Sequence, residues 1–167
     1  MQRKPVIGVM GGSTVSSKVT REAYELGQQI AKNGWVLLNG GRDAGVMRAS
    51  AEGAKSKNGL TLGILMGASK HQANPYIDIP ICTNMGDARN VINVLSSDII
   101  VACPGSAGTL SEIALALKNN KTVISLHTPV PSVIEEYESA GQFILVHSVS
   151  ECIEEIEAWL NESQLKI

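Results

Sequence analysis

Aromatic residues and net charge are both scarce in this sequence of 167 residues. Only 4% of the residues are aromatic, and 14 basic residues against 16 acidic ones leave a formal net charge of −2. Binding to nucleic acid relies on basic patches and, for single strands, on aromatic side chains that stack with the bases. We therefore expect no nucleic-acid partner.

Paired cysteines and long apolar runs near the start are also missing. Cys82, Cys103 and Cys152 are odd in number and lie far apart, which is typical of a protein with reduced thiols. The apolar run that follows Met1–Pro5 is too short for a signal peptide or for a helix that spans a bilayer. The sequence therefore predicts a cytoplasmic protein with no membrane contact.

The common nucleotide and metal motifs are absent as well. No G-x-x-x-x-G-K-[ST] segment occurs, which disfavours a P-loop nucleotidase. The first glycine loop does not complete G-x-G-x-x-G, and Asn39 stands where an NAD-binding domain has an acidic residue, so we do not expect NAD. His71, His127 and His147 are widely separated, so we expect no metal site made of protein ligands. His127 and His147 follow predicted strands and are candidates for an accessory polar contact.

Short apolar runs alternate with amphipathic stretches along the whole chain. Strands are predicted at Val6–Met10, Trp35–Leu38, Leu60–Met66, Ile77–Ile81, Asp98–Cys103, Thr122–Leu126 and Phe143–Val146. Helices are predicted at Lys18–Asn33, from Gly45 to about Ser56, at Asp87–Ser97, from Thr109, at Ser132–Ser139 and from Ser148. Apolar strands separated by amphipathic helices are typical of a parallel sheet covered on both faces. The sequence therefore predicts a single three-layer, Rossmann-like α/β domain over residues 1–167, with about six or seven parallel strands.

Three of the predicted strands end in glycine-rich loops. These loops are Gly11-Gly12-Ser13, Gly40-Gly41-Arg42 and Pro104-Gly105-Ser106-Ala107-Gly108-Thr109. The carboxyl ends of parallel strands lie at one edge of the sheet, where proteins of this class bind their ligands. In the third loop, free backbone N–H groups at a helix start and flexible glycines favour a phosphate or another anion. One such loop can be a tight turn and nothing more, but three at one edge indicate a binding site.

Two arginines near these loops are candidates for binding an anion. Arg42 lies within the second loop, and Arg89 lies in the first turn of a predicted helix whose N-cap is Asp87. The helix dipole does not favour a cation at that end. The position of Arg89 is easier to understand if its guanidinium faces an anion. Asn90, which follows, bonds either a ligand or the neighbouring backbone.

Glu112 has two alternative roles. Its spacing from Thr109 fits a capping box, in which Thr109 caps the helix and Glu112 bonds back to the cap. The same carboxylate can instead point into the predicted site. The sequence does not choose between the structural role and the chemical one.

These segments resemble a known superfamily. Pro104–Glu112 is similar to the P-G-G-x-G-T-x-x-E signature of LOG-like (SLOG) proteins, formerly described as lysine decarboxylase-like. Gly40–Met47 resembles their second loop, and Arg89 resembles their helix-borne arginine. The combination of G-G-R-D-A-G-V-M, A-R-N and G-T-L-S-E is most similar to the molybdenum cofactor carrier branch, and the resemblance covers nearly the whole chain. The chain departs from the signature at Ser106, which replaces its second glycine, and at Ser111, which replaces the first of the enzymes' paired acids.

The resemblance implies two functions of different classes, and the carrier is the one we predict. A carrier would bind the molybdenum cofactor, a phosphorylated pterin dithiolene, and protect it without catalysis, through backbone N–H groups and Arg42 or Arg89. An enzyme of the LOG type would hydrolyse the N-glycosidic bond of a nucleoside 5′-monophosphate, such as a cytokinin riboside monophosphate, with Arg89 and Glu112 as catalytic residues. A third alternative is a nucleotide-sensing or structural member. The resemblance also implies a homodimer or a homotetramer.

Overall fold

The computed structural model describes residues 3–129, 132 and 135–164. Within these residues, seven strands alternate with six α-helices. The strands are β1 (Val6–Met10), β2 (Val36–Asn39), β3 (Leu60–Leu65), β4 (Ile79–Cys82), β5 (Ile99–Ala102), β6 (Val123–Leu126) and β7 (Phe143–Val146). The helices are α1 (Ser17–Lys32), α2 (Gly45–Lys55), α3 (Asn90–Ser96), α4 (Ala107–Lys118), α5 (Glu135–Ser139) and α6 (Val149–Gln164). None of the helices described is long and apolar enough to cross a bilayer.

The seven described strands form one parallel sheet, in the order β4-β3-β2-β1-β5-β6-β7. Strand β1 pairs with β2 on one side, where Val6 lies opposite Val36, and with β5 on the other, where Ile7 lies opposite Ile99. The direction of winding reverses between β1 and β5, and α/β proteins bind ligands outside the carboxyl ends of the strands at such a reversal. The predicted parallel sheet of six or seven strands is confirmed.

Helices cover both faces of this sheet, which confirms the predicted three layers. Alternate residues of a strand point to opposite faces. Ile7 and Val9 of β1 therefore lie in the core beneath α1, α2 and α6, whereas Met10 lies in the second core with residues of α3 and α4. Because the two cores cover both faces of the sheet, a site can form at the ends of the strands.

Helices α1 and α2 pack so closely that glycine is required at their contact. A Cβ on Gly27 would lie 2.0 Å from the carbonyl oxygen of Ser50, and a Cβ on Gly53 would lie 1.9 Å from that of Tyr24. No side chain fits at either position without moving the backbone. Because α1 follows the first glycine loop and α2 the second, this contact fixes the two loops relative to each other.

The predicted helix at residues 87–97 is divided into two segments. Gly86–Arg89 form a 3₁₀ turn, α3 follows it, and Arg89 is the N-cap residue of α3. No side chain caps either segment, so the prediction that Asp87 caps this helix is wrong. The cause is the tighter turn, which Gly86 begins with a φ of 55°.

The C-terminal part of the sheet follows its sequence pattern. Helix α6 starts at the predicted cap, where the backbone N–H of Glu151 donates to Ser148 Oγ over 3.2 Å. Of the helix predicted at residues 132–139, the structure has Glu135–Ser139 as α5, and residues 133 and 134 lie outside the described part.

Candidate anion-binding site

A cavity of about 180 Å³ lies at the carboxyl ends of the central strands, next to the reversal of winding. All three predicted loops reach it, together with the predicted polar residues, and its lining includes Gly11, Gly12, Ser13, Gly40, Arg42, Arg89, Asn90, Ser106, Gly108, Thr109 and Glu112. Gly41, Pro104, Gly105 and Ala107, which were also predicted, belong to the same loops but do not line the cavity. The structure thus brings the predicted residues to one place.

The first and third glycine loops pack backbone against backbone. The N–H of Gly12 donates to the carbonyl of Pro104 over 3.1 Å, and the carbonyl of Gly12 accepts from Val46 over 3.0 Å. A Cβ on Gly105 would lie 2.1 Å from Thr109 Oγ1 and 2.9 Å from the N atom of Gly12. The two loops therefore hold one another in place through direct backbone contacts.

Asn39 fixes the second loop. Its side chain is fully buried, and its Nδ2 donates to the carbonyl of Met47 over 2.9 Å and to Ser50 Oγ over 3.1 Å. Its Oδ1 accepts from the N–H of Gly41 over 2.8 Å, and Gly41 has a φ of 72°. The residue that stands in place of a ribose-binding acid is therefore used to shape the loop.

Helix α4 begins at the wall of the cavity. Ser106 is its N-cap residue, and no side chain caps this end. The first N–H groups of a helix lack partners within the helix and lie at the positive end of its dipole. Gly108 lines the cavity in this first turn, and a Cβ there would meet nothing within 4 Å. This helix start can therefore receive an anion.

The capping box that the spacing of Thr109 and Glu112 allows is not formed, because α4 begins at Ala107 and Thr109 is already inside the helix. Glu112 instead lines the cavity, where its Oε1 accepts a hydrogen bond from Asn93 Nδ2 over 2.8 Å. Of the two roles that the sequence left open, the structure favours the carboxylate in the site. Burial raises the pKa of Glu112, although the Asn93 hydrogen bond and the charge of Arg89 act in the opposite direction.

Arg89 is the most unusual residue of the cavity. Its side chain is only 6% exposed, and neither Nε nor Nη1 has a hydrogen-bond acceptor among the residues that the structure describes. Burial lowers the pKa of Arg89, partly offset by the charge of Glu112, and the charge of Arg42 lowers it further. The guanidinium lies against Gly40, where a Cβ would be 2.3 Å from Nη1. A buried cation with unused donors can bind an anion in this cavity.

The remaining predicted polar residues have simpler surroundings. Arg42 is exposed at the mouth of the cavity. Asn90 lines the cavity and donates to Ser111 Oγ over 3.2 Å, a side-chain contact that the sequence did not suggest. Ser111 Oγ in turn donates to the carbonyl of Gly108 over 2.7 Å, so Asn90 is tied to the first turn of α4.

Sequence reasoning missed the methionines of the site. Met10, Met47 and Met66 line the cavity, and they give one part of its wall soft, polarisable surface. Met66 directly follows β3, so the rule that strands end at one edge would have found it. Met47 lies within the G-G-R-D-A-G-V-M segment, which was used for the resemblance and not for the site.

The histidines lie outside this cavity. His127 Nε2 is 2.9 Å from Glu22 Oε1, and the rings of His127 and His147 are 6.3 Å apart. In the part of the chain that the structure describes, no group of His, Cys, Asp or Glu side chains is arranged to hold a metal ion. His127 and His147 therefore do not provide the accessory contact that their positions suggested.

Comparisons with known proteins agree with this geometry. The model of the SLOG cluster4 family matches residues 4–153. The chain belongs to this family. The structure of the molybdenum cofactor binding protein of the phototrophic bacterium Rippkaea orientalis is 48% identical to this SLOG cluster4 protein, with a TM-score of 0.89, and the match covers 96% of this chain and 99% of that one. The molybdenum cofactor carrier protein of Chlamydomonas reinhardtii is 41% identical, with a TM-score of 0.87, over 95% of this chain and 99% of that one.

An enzyme is among the relatives of this SLOG cluster4 protein as well. The cytokinin riboside 5′-monophosphate phosphoribohydrolase of Mycobacterium tuberculosis is 32% identical over 103 residues, which are 60% of this chain and 55% of that protein. The likeness to the two molybdenum cofactor proteins is both higher and more extensive. The predicted resemblance to the LOG-like superfamily and to its carrier branch is thus confirmed.

Proposed function

We propose that this protein binds the molybdenum cofactor and carries it without catalysing a reaction. The observation that carries the proposal is the buried guanidinium of Arg89, whose Nε and Nη1 have no acceptor within the described structure. Such a group is costly in an empty protein and favourable when an anion occupies the cavity. The two molybdenum cofactor proteins that match nearly the full chain support this class of anion.

The cavity fits the phosphorylated end of such a cofactor. The start of α4, where no side chain caps the helix, can donate its first N–H groups to the phosphate. Arg89 supplies a paired set of donors from the other wall, and Arg42 lies at the mouth, where it meets further oxygens of the cargo. The protein's contribution is to bind, orient and shield, and no bond of the cargo needs to break.

Analysis of the cargo tests this proposal. The protein is purified from a host that makes the cofactor, and the released small molecules are identified by mass spectrometry together with a molybdenum assay. We expect a phosphorylated pterin and molybdenum in the wild type, and neither in Arg89→Ala. Glu112→Gln, which keeps the size of the side chain, should retain the cargo. A wild-type protein that carries no pterin from such a host would contradict the proposal.

A phosphoribohydrolase is the second candidate. It is favoured by Glu112, because a carboxylate in the cavity can stabilise the oxocarbenium-like state of N-glycosidic cleavage. Release of free base from several nucleoside 5′-monophosphates, wild type against Glu112→Gln, decides between the candidates. An enzyme should lose turnover by orders of magnitude in the variant while it still binds substrate. Robust release by the wild type would overturn the carrier proposal.

We further propose that residues 1–167 form a single binding domain and that the protein is cytoplasmic. We also propose that copies of this domain assemble into a homodimer or a homotetramer. Leu95 of α3 is 54% exposed and Leu110 of α4 is 47% exposed, and a contact between copies would bury both. Leu95→Glu should therefore lower the mass measured by light scattering, whereas Lys118→Glu, at an exposed position of α4, should not. A wild type that is already monomeric at high concentration would refute the assembly.

A further inference from the structure

A second groove adjoins the anion cavity. Its volume is about 500 Å³, and the two spaces share Arg42 and Met66. Most small-molecule sites have volumes of about 300 to 1,000 Å³, so the cavity of about 180 Å³ can hold a phosphate but not a whole cofactor. A ligand whose phosphate lies at α4 has to extend past Arg42, and the groove is where it can do so.

The walls of this groove are fixed by hydrogen bonds and close contacts. Asn74 Nδ2 donates to the carbonyls of Gly41 and Arg42, over 3.2 Å in each case, and so anchors the backbone that separates the two spaces. The side-chain amide of Gln72 lies flat on Gly67, where a Cβ would be 2.1 Å from Gln72 Oε1. These contacts fix the shape of the groove.

Two polar side chains of the groove have hydrogen-bonding capacity to spare. Asp43 uses its Oδ1 in an ion pair with Arg48, which leaves Oδ2 without a bond to the described residues. Gln72 is exposed, and its side-chain amide makes no hydrogen bond to another residue within the described part of the chain. Leu65 and Met66 add apolar surface beside them. This combination suits a flat heterocycle with several polar atoms on one edge.

We infer that this groove holds the pterin end of the cofactor, with Asp43 and Gln72 as the residues that recognise its polar edge. The inference rests on the proposed function. A pterin presents an amino group and a ring N–H side by side, next to a carbonyl oxygen. Asp43 Oδ2 accepts from one donor, and Oδ1, which has a second lone pair beside its bond to Arg48, accepts from the other. The amide of Gln72 donates to the oxygen. Adenine has one amino group beside an acceptor nitrogen, so it fits a carboxylate poorly. Guanine has the same edge as a pterin.

Binding of small probes tests the inference. Titration calorimetry with 6-hydroxymethylpterin, GMP, AMP and inorganic phosphate is carried out on the wild type, Asp43→Asn and Gln72→Ala. We expect GMP to bind at least about tenfold more tightly than AMP, since one hydrogen bond to a charged group is worth about that much. Asp43→Asn should remove this preference and weaken the pterin about tenfold or more. Both variants should bind phosphate as the wild type does, which also shows that they fold.

Controls separate failure of this inference from failure of the proposed function. His71→Ala changes an exposed residue of the same 3₁₀ turn as Gln72 and should alter none of the affinities. Equal affinities for GMP and AMP, or an unchanged pterin affinity in both variants, would overturn the recognition of the pterin by Asp43 and Gln72. A wild-type protein that copurifies with no molybdenum cofactor would instead overturn the proposed function, whatever these variants do.

Discussion

Replacing Arg89 with methionine should stabilise the empty protein while it weakens anion binding. Arg89 is 6% exposed, and two of its nitrogens have no acceptor in the described structure. A buried polar group without a partner costs about 1–3 kcal/mol. Attraction between Arg89 and Glu112 offsets part of this cost. We therefore expect the free energy of unfolding of the empty protein to rise in Arg89→Met by part of that cost, and by no more than about 3 kcal/mol.

The binding side of the same prediction has the opposite sign. Loss of a paired, charge-assisted contact of about 1.5–3 kcal/mol should raise the Kd for phosphate by about 10- to 150-fold. Chemical denaturation with and without phosphate measures both effects, because a ligand at 100 times its Kd stabilises the native state by about 2.7 kcal/mol. At the phosphate concentration that stabilises the wild type by about 2.7 kcal/mol, Arg89→Met should be stabilised by only about 0.3–1.4 kcal/mol.

Arg21→Met is the matched control, since Arg21 is exposed on α1 and outside the cavity. A surface change of this kind should shift stability by no more than about 0.5 kcal/mol and leave the phosphate effect intact. If Arg89→Met destabilises the empty protein and still responds to phosphate, Arg89 holds the fold together and the reasoning from its unused donors is wrong.

Four further outcomes follow from the structure. Burial raises the pKa of Glu112, so this group contributes stability to the folded protein below its ordinary pKa of about 4.3, and that contribution is lost as the pH rises through the raised value. Glu112→Gln should remove this loss. We therefore expect the Tm of the variant to exceed that of the wild type by an amount that grows from pH 4 to pH 8. Gly40→Ala should push the guanidinium of Arg89 aside, because its Cβ would lie 2.3 Å from Nη1, and weaken phosphate binding with little loss of Tm. Gly108→Val should fold, since a Cβ at Gly108 meets open space, but its side chain should occupy the start of α4 and weaken phosphate binding. Unchanged phosphate affinity in this variant would contradict anion binding at the start of α4. A mild thiol reagent should modify half-buried Cys82 first, since the other two cysteines are buried, and mass spectrometry of peptides reads this directly.

The layers of the fold and the edge that carries the site could be predicted from the sequence. Strands such as β5 are continuous apolar runs, and parallel strands place their carboxyl ends together, so three glycine loops had to meet. The order of the strands in the sheet could not be predicted, because apolar runs of similar length do not show which strands pair with each other. Asn74 was missed for a related reason. It anchors Gly41 and Arg42 from more than 30 residues away, and its own surroundings in the sequence give no sign of that contact.

The failed capping box shows a limit of local motifs. Thr109 and Glu112 have the spacing of a cap, but the preceding Ser106-Ala107-Gly108 segment lets α4 begin earlier. A spacing of three residues is the same at the start of a helix and within its first turns, so only the helix boundary decides whether the glutamate is a cap or a site residue. Here the boundary places Glu112 beside the cavity.

Glu112 also bears on why a carrier is the better interpretation of this site. A carboxylate that stabilises an oxocarbenium-like state has to be ionised, and burial of Glu112 disfavours that form. The paired acid of the enzymes is replaced by Ser111, which is occupied in bonding Gly108 and Asn90. Anion binding, in contrast, is supported by two independent groups: the start of α4 and the unused donors of Arg89. Loss of Glu112 would therefore leave the anion held, and the cavity is better equipped to hold a phosphorylated molecule than to cleave one.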